Sequence, residues 1–318
     1  MRRNKSKILA FSAKLGEKTQ IFSKKIQAVS FNNVDKICIY ANNGGVGDIL
    51  MLTPSLKSLR DKYPNSYIEL AIHSNGANDN IYNFISELKL VDKISDFRKV
   101  NKNRYGTVID VSEVADPAWE MNKINLRSRI KYYSELCRVT LDKEIPYIPV
   151  PSQYTEEAKK FLKNYSKVFF IDTSSVDDRR CISPEVVKKL IDLINKNNSN
   201  HCILVSDWRR KSNLTFLKNT VDVTSKSLIE LSALIKESDY FFGPDSALMH
   251  IAGAFEIKSL VAFGMIPPEY RIKEYKNHKA VRVEKLSCLE CWYKPCTNNL
   301  KCMKDLDSNK IYEMMERM

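Results

Sequence analysis

Residues 36–40 (KICIY) form a short apolar run that predicts a β-strand, followed by a glycine-rich turn over 42–47. From 49 to 60 the apolar positions recur at helical spacing, and Pro64 stops the pattern. The same alternation continues with a strand at 66–72, a helix near 80–88, a strand at 105–111 and a long amphipathic helix over 121–141. Residues 145–151 (IPYIPVP) hold three prolines in seven positions and read as an extended linker. Beyond it the pattern restarts: helix 155–165, strand 168–172, a helix from Pro184 and a strand at 202–206. A helix at 228–237, a strand at 239–243, a helix at 247–255 and a strand at 259–263 complete it. Strands alternating with helices predict parallel sheets covered on both faces. Two such arrays, 34–148 and 152–285, leave a cleft between their carboxyl edges, where open α/β sheets take ligands.

Length agrees, since 318 residues suit two α/β domains better than one. The basic prefix 1–33 places Phe22, Ile26 and Val29 on one helical face beside Lys24 and Lys25, a pattern for peripheral contact with an anionic membrane or for a covering helix. Its longest apolar piece, residues 8–11, is too short for a signal-peptide core, and no run is long enough to span a bilayer. The expected location is the cytoplasm, with contact to the inner membrane open. A net charge of +13 points to an anionic partner: nucleic acid, phospholipid or a phosphorylated glycan.

Three strand–turn–helix segments carry the chemistry. In the first, Gly45 and Gly47 allow close backbone approach, but Leu50 occupies the third glycine place of a dinucleotide fingerprint. Asp48 would repel a pyrophosphate there. A carboxylate at a helix N-terminus stays ionised and suits a general base, or else caps the helix. In the second, 241–250 (FFGPDSALMH), Asp245 has the composition of an N-cap. The first-turn N–H groups of Ser246, Ala247 and Leu248, with the Ser246 hydroxyl, form an expected diphosphate site, and His250 lies one turn on as phosphate donor or core histidine. In the third, 172–180 (DTSSVDDRR), Thr173 and Ser174 follow a strand and Arg179 and Arg180 precede a helix, the parts of a phosphate clamp or of a solvated loop.

Residues 44–60 (GGVGDILMLTPSLKSLR) with Tyr63-Pro64 resemble the N-terminal signature of glycosyltransferase family 9, the heptosyltransferases. Residues 243–254 (GPDSALMHIAGA) with Phe263-Gly264 resemble its C-terminal signature, preceded by a similar helix at 227–238. The order and spacing match over roughly 36–265. The resemblance implies a GT-B fold of two Rossmann-like domains, an N-terminal acceptor half and a C-terminal nucleotide-sugar half. It implies inverting transfer from a donor, typically ADP-heptose, to an acceptor hydroxyl, with no catalytic cofactor. Asp48 would be the base; Ser246 and the 245–248 turn would hold the diphosphate with His250 nearby. Thr173 and Ser174 match the family's phosphate-binding hydroxyls, and its phosphate-binding lysine falls at Arg179 or Arg180. The family's basic–tryptophan–proline run is replaced at 180–184, and its glycine and ribose-contacting acid are replaced within 206–210, where Asp207 is the available substitute.

The mechanism this implies is one displacement at the anomeric carbon, with arginines and helix N-termini stabilising the leaving diphosphate in place of a metal. The leading acceptor is a phosphorylated lipopolysaccharide core; hydroxymethylated DNA and a protein hydroxyl are the alternatives, and a nucleotide- or glycan-binding module is the non-enzymatic one. In the tail, 286–318, Cys288, Cys291, Cys296 and Cys302 have the composition of a closed thiolate site for structural zinc or iron. Such a site would fix the terminal helix expected near 311–318, where little else forms a core.

Overall fold

The computed structural model describes residues 31, 33–42, 44–73, 79–115, 128–209, 214, 217–292 and 294–318. The amphipathic segment 22–29, Arg210 and the first part of the helix expected over 121–141 lie outside the described residues.

The first sheet has the order β3-β2-β1-β4, built from β1 (Lys36–Ala41), β2 (Tyr67–Ile72), β3 (Lys93–Asp96) and β4 (Thr107–Asp110), all parallel. Ile37, Ile39, Ile68 and Leu70 form one face and bury against α1 (Val46–Lys62), α2 (Asp79–Leu88) and α3 (Arg129–Cys137). On the opposite face, the irregular segment 97–105 places the Lys102 ammonium 3.4 Å from the centre of the Tyr40 ring, and Tyr105 donates to Glu69 at 2.7 Å.

The second sheet has the order β10-β9-β8-β5-β6-β7, again parallel throughout. Its strands are β5 (Lys167–Asp172), β6 (His201–Ser206), β7 (Thr220–Asp222), β8 (Tyr240–Pro244), β9 (Lys258–Ala262) and β10 (His278–Val281). Alternate residues of β5 divide between its faces. Phe170 joins the core shared with α6 (Leu228–Lys236) and α7 (Ala247–Ala254), while Phe169 and Ile171 face α5 (Pro184–Asn197). The strand order reverses between β1 and β4 in one sheet and between β5 and β8 in the other. The carboxyl ends at those points lead into Asp48, Thr173 and Asp245.

Between the sheets, 142–150 runs without regular structure to Pro151, which precedes α4 (Ser152–Leu162). This segment is pinned to the middle of α1. Pro54 lacks the N–H that would serve the Leu50 carbonyl, and the Thr53 hydroxyl donates to that oxygen at 2.7 Å. The same hydroxyl accepts from the Tyr147 N–H at 2.8 Å.

Three expectations are corrected. The helix over 121–141 ends at Cys137, because Arg138 adopts the left-handed conformation (φ 49°) and its N–H turns back to Ser134 and Glu135. Asp245 does not cap α7: Ser246 occupies that position, and the carboxylate turns to arginines. The tail does form a core. After α8 (Glu269–Ile272) and α9 (Lys301–Lys304), α10 (Ser308–Glu316) buries Ile311 and Met315 with Met303 and Leu306 against α5 and the second sheet. Ser308 also donates to the Val186 carbonyl at 2.9 Å.

Candidate active site

The N-termini of α1 and α7 abut. A β-carbon on Gly47 would lie 3.1 Å from Cδ2 of His250 and 3.9 Å from Cα of Ala247, so the two glycine-bearing turns of the two sheets meet here. Two helix N-termini in one place create positive potential and attract anions.

Asp48 is the third residue of α1. One carboxylate oxygen accepts from the Gly45 N–H at 2.8 Å, satisfying a free donor of the first turn. The other is paired with the Arg129 guanidinium, contributed by the first residue of α3. Both side chains are largely buried, at 8% exposure for Arg129 and 15% for Asp48.

Across the seam, Asp245 is buried between two guanidiniums: Arg180 at 3.1 Å and Arg271, from α8, at 3.3 Å. Burial works to raise the Asp245 carboxyl, but Arg271, Arg180 and His250 outweigh it and hold it down to about 2. His250 is also buried. Desolvation lowers its ring to about 3 against the pull of Asp245, with Arg271 and Arg129 adding repulsion, so it is neutral at physiological pH. Its Nδ1 lies 2.7 Å from the Tyr275 hydroxyl, which turns the Nε2 side towards Gly47.

The hydroxyls of the β5 turn are occupied within the protein. Thr173 and Ser174 each donate to the same oxygen of Asp207 at 2.9 Å, and Ser175 donates to the Asp245 carbonyl at 2.9 Å. Ser246 donates to Asp172 at 2.6 Å. Burial pushes Asp172 up to about 7 despite the hydrogen bonds from Ser246 and Ser174, and Asp207 adds to the rise. Asp207 is buried beneath these hydroxyls. The two expected arginines separate: Arg180 points at Asp245, whereas Arg179 forks onto Asp177 and donates to the Lys294 carbonyl at 2.8 Å. Arg179 thus ties the β5 turn to the cysteine-rich tail. Arg209 crosses the same turn, donating to the Ser175 carbonyl at 2.8 Å and pairing with Asp178.

Burial and then the neighbouring Cys296, Cys291 and Cys288 push the Cys302 thiol up to about 11. Leu300 N–H donates to the Cys296 sulfur at 3.3 Å and Asn298 to that of Cys288 at 3.4 Å. Among the described residues, no group of three or more His, Cys, Asp or Glu side chains is arranged to hold a metal ion. Among them, too, no helix is long and apolar enough to cross a membrane.

The model of glycosyltransferase family 9 (heptosyltransferase) matches residues 100–302, more than half of the chain. The chain belongs to glycosyltransferase family 9. Lipooligosaccharide heptosyltransferase 2 of Campylobacter jejuni is 34% identical over 83 residues, a match spanning 25% of this chain and about a quarter (26%) of that relative. The family 9 glycosyl transferase of Veillonella parvula superposes with a TM-score of 0.66 at 12% identity, covering 91% of this chain and 98% of that one. The iron-containing dodecameric heptosyltransferase TibC, in complex with ADP-D-β-D-heptose, superposes with a TM-score of 0.58 at 13% identity, covering 90% and 78%. At these identities the structural likeness speaks for the shared GT-B fold.

Within this family 9 fold, both turns are legible in the amino-acid sequence, whereas Arg129, Arg271 and Tyr275 are not. Arg129 lies inside the stretch 121–141 read as one amphipathic helix, and Arg271 and Tyr275 follow the second signature without a motif of their own. That Arg129 opens a helix, where the dipole disfavours a cation unless an anion meets it, is visible only in the structure.

Proposed function

We propose that this chain is an inverting glycosyltransferase that moves a sugar from a nucleotide-sugar, ADP-heptose first among donors, to a hydroxyl of a phosphorylated lipopolysaccharide or lipooligosaccharide core. The observation that carries the reading is the position of Asp48. Its carboxylate stands where the carboxyl edge of one sheet meets the Asp245–His250 turn of the other. Residues 34–148 are taken as the acceptor half and 152–285 as the donor half.

In this account the acceptor oxygen bonds to the anomeric carbon as the bond from that carbon to the diphosphate breaks, and the acceptor proton passes to Asp48. Arg180 and Arg271, fixed by Asp245, face the charge that grows on the departing diphosphate together with the first-turn N–H groups of α7. In the tautomer in which the Tyr275 hydroxyl donates to Nδ1, neutral His250 carries its proton on Nε2 and offers it as a hydrogen bond at the seam. Fixed donors of this kind need no reorganisation during the reaction, which is where electrostatic catalysis gains most.

The tail cysteines have the donor chemistry of a structural iron or zinc site, and TibC, similar in fold, is described as iron-containing. Their present arrangement is not that of a closed site. Binding would require Cys288, Cys291, Cys296 and Cys302 to draw together, and a metal there would brace the loop on which Arg179 rests.

The test is a panel of labelled nucleotide-sugars offered against lipooligosaccharide core, duplex DNA carrying hydroxymethylated bases, and protein. Transfer from ADP-heptose to the core is the expected result. Transfer to DNA or protein would replace the acceptor assignment, and nucleotide binding without transfer to any of them would leave a binding module.

A further inference from the structure

Both oxygens of Asp48 are engaged: one accepts the Gly45 N–H and the other faces the Arg129 guanidinium. In that state an incoming hydroxyl has to share the Asp48 oxygens with those two donors. The Gly45 bond is local to the helix start and leaves the second oxygen as the one that can serve a substrate. Arg129 is therefore the partner that competes with a substrate hydroxyl for that oxygen.

Arg129 needs an anionic partner where it stands. It is the first residue of α3, where the helix dipole opposes a cation, and it is mostly buried, where desolvation opposes one too. It also lies close enough to His250 to repel a proton from that ring. Arg129 thus stands at the seam on the side of the first sheet, while Arg180 and Arg271 serve the opposite side around Asp245. A phosphate offers a guanidinium two parallel hydrogen bonds and more charge than one carboxylate.

We propose, resting on the reading of Asp48 as base, that Arg129 is a positioning residue that latches Asp48 until a phosphate of the acceptor takes the guanidinium. The latch holds the base idle while only donor and water are present, and so limits wasteful hydrolysis. It assigns the acceptor a phosphate close to the hydroxyl that is glycosylated. In the unwanted reaction a water oxygen bonds to the anomeric carbon, the diphosphate leaves with the electrons of the broken bond, and the water proton goes to Asp48.

The experiment compares release of nucleoside diphosphate without acceptor in the wild type, Arg129→Ala, Arg129→Lys and the double variant Asp48→Asn/Arg129→Ala. Release should rise about tenfold or more in Arg129→Ala, less in Arg129→Lys, and fall away in the double variant. The core and its chemically dephosphorylated form are then compared as acceptors. Removing phosphate should lower kcat in the wild type and leave Arg129→Ala unaffected. A purely structural Arg129 would lower hydrolysis and transfer together, and hydrolysis that is unchanged or reduced in both Arg129 variants overturns the latch. If the donor diphosphate were the trigger, wild type and Arg129→Ala would hydrolyse donor at the same rate, which also overturns it. Transfer retained in Asp48→Asn alone would instead remove the base assignment, a separate result.

Discussion

Gly47 and His250 pack closely across the seam between the two sheets: a β-carbon on the glycine would sit 3.1 Å from the imidazole Cδ2, so one of the two would have to give by a few tenths of an ångström. The contact sets the spacing of the two signature turns. Gly47→Ala gains a little helix propensity but pushes His250 by a few tenths of an ångström against its Tyr275 partner, or α1 slightly away from α7. A net loss of about 1 kcal/mol is expected, with a larger fall in transfer than in donor binding. Urea unfolding with donor titration measures both, and an alanine variant with unchanged stability and turnover would show that the seam is not set by this contact.

Asp245 is the hub of the donor side. Asp245→Asn keeps its shape and removes the charge shared by Arg180 and Arg271, leaving two guanidiniums to repel each other in a buried place. The loss expected is on the order of 3–5 kcal/mol, the range for breaking one side of a buried pair. Calorimetric titration with the nucleoside diphosphate should show weaker binding. Binding at wild-type strength would mean that the arginines do not depend on this carboxylate.

Asp172 gives the protein a pH signature. Its folded-state carboxyl is raised to about 7 by burial, well above the ordinary value of 3.8. Between those two values the unfolded chain has released a proton that the folded chain retains, so this group makes stability fall as pH rises from about 4 to 7. Asp172→Asn should therefore gain stability relative to wild type on going from pH 5 to pH 8, as read from melting curves. A difference that does not change with pH would contradict the assignment.

The tail yields a metal prediction with a limited consequence. Protein purified without chelator should carry about one iron or zinc per chain. Removing it should lower the melting temperature by a few degrees only, because Met303, Leu306, Ile311 and Met315 already anchor the tail in the core. Gly264→Ala, whose β-carbon would fall 2.5 Å from the Cys302 sulfur, should displace that thiol and lower metal content. Four freely titrating thiols and no metal would contradict the site.

What could be read from the chain differs between sheets and site. The inner strands were legible because buried parallel strands such as β5 and β8 are continuous apolar runs. The short edge strands β3, β7 and β10 were not, since KISD, TVD and HKAV carry polar residues that an edge tolerates. The turns with Asp48, Thr173 and Asp245 were visible because glycine, proline and hydroxyl residues mark strand ends. Their partners were not. No sequence pattern joins Arg129 to Asp48 or Arg271 to Asp245, and only packing brings those elements together. The hydroxyls of Thr173, Ser174 and Ser246 read as open to a ligand, whereas Asp207 and Asp172 accept them within the fold.

In the proposed transfer, Asp48 accepts the proton of the acceptor hydroxyl. The direct measurement is the turnover of Asp48→Asn with saturating donor and acceptor, alongside its affinity for the donor. Transfer should fall by several orders of magnitude while donor affinity stays close to wild type, since the substitution removes a base and leaves the diphosphate-binding residues in place. An Asp48→Asn protein that transfers sugar at the wild-type rate would contradict the account.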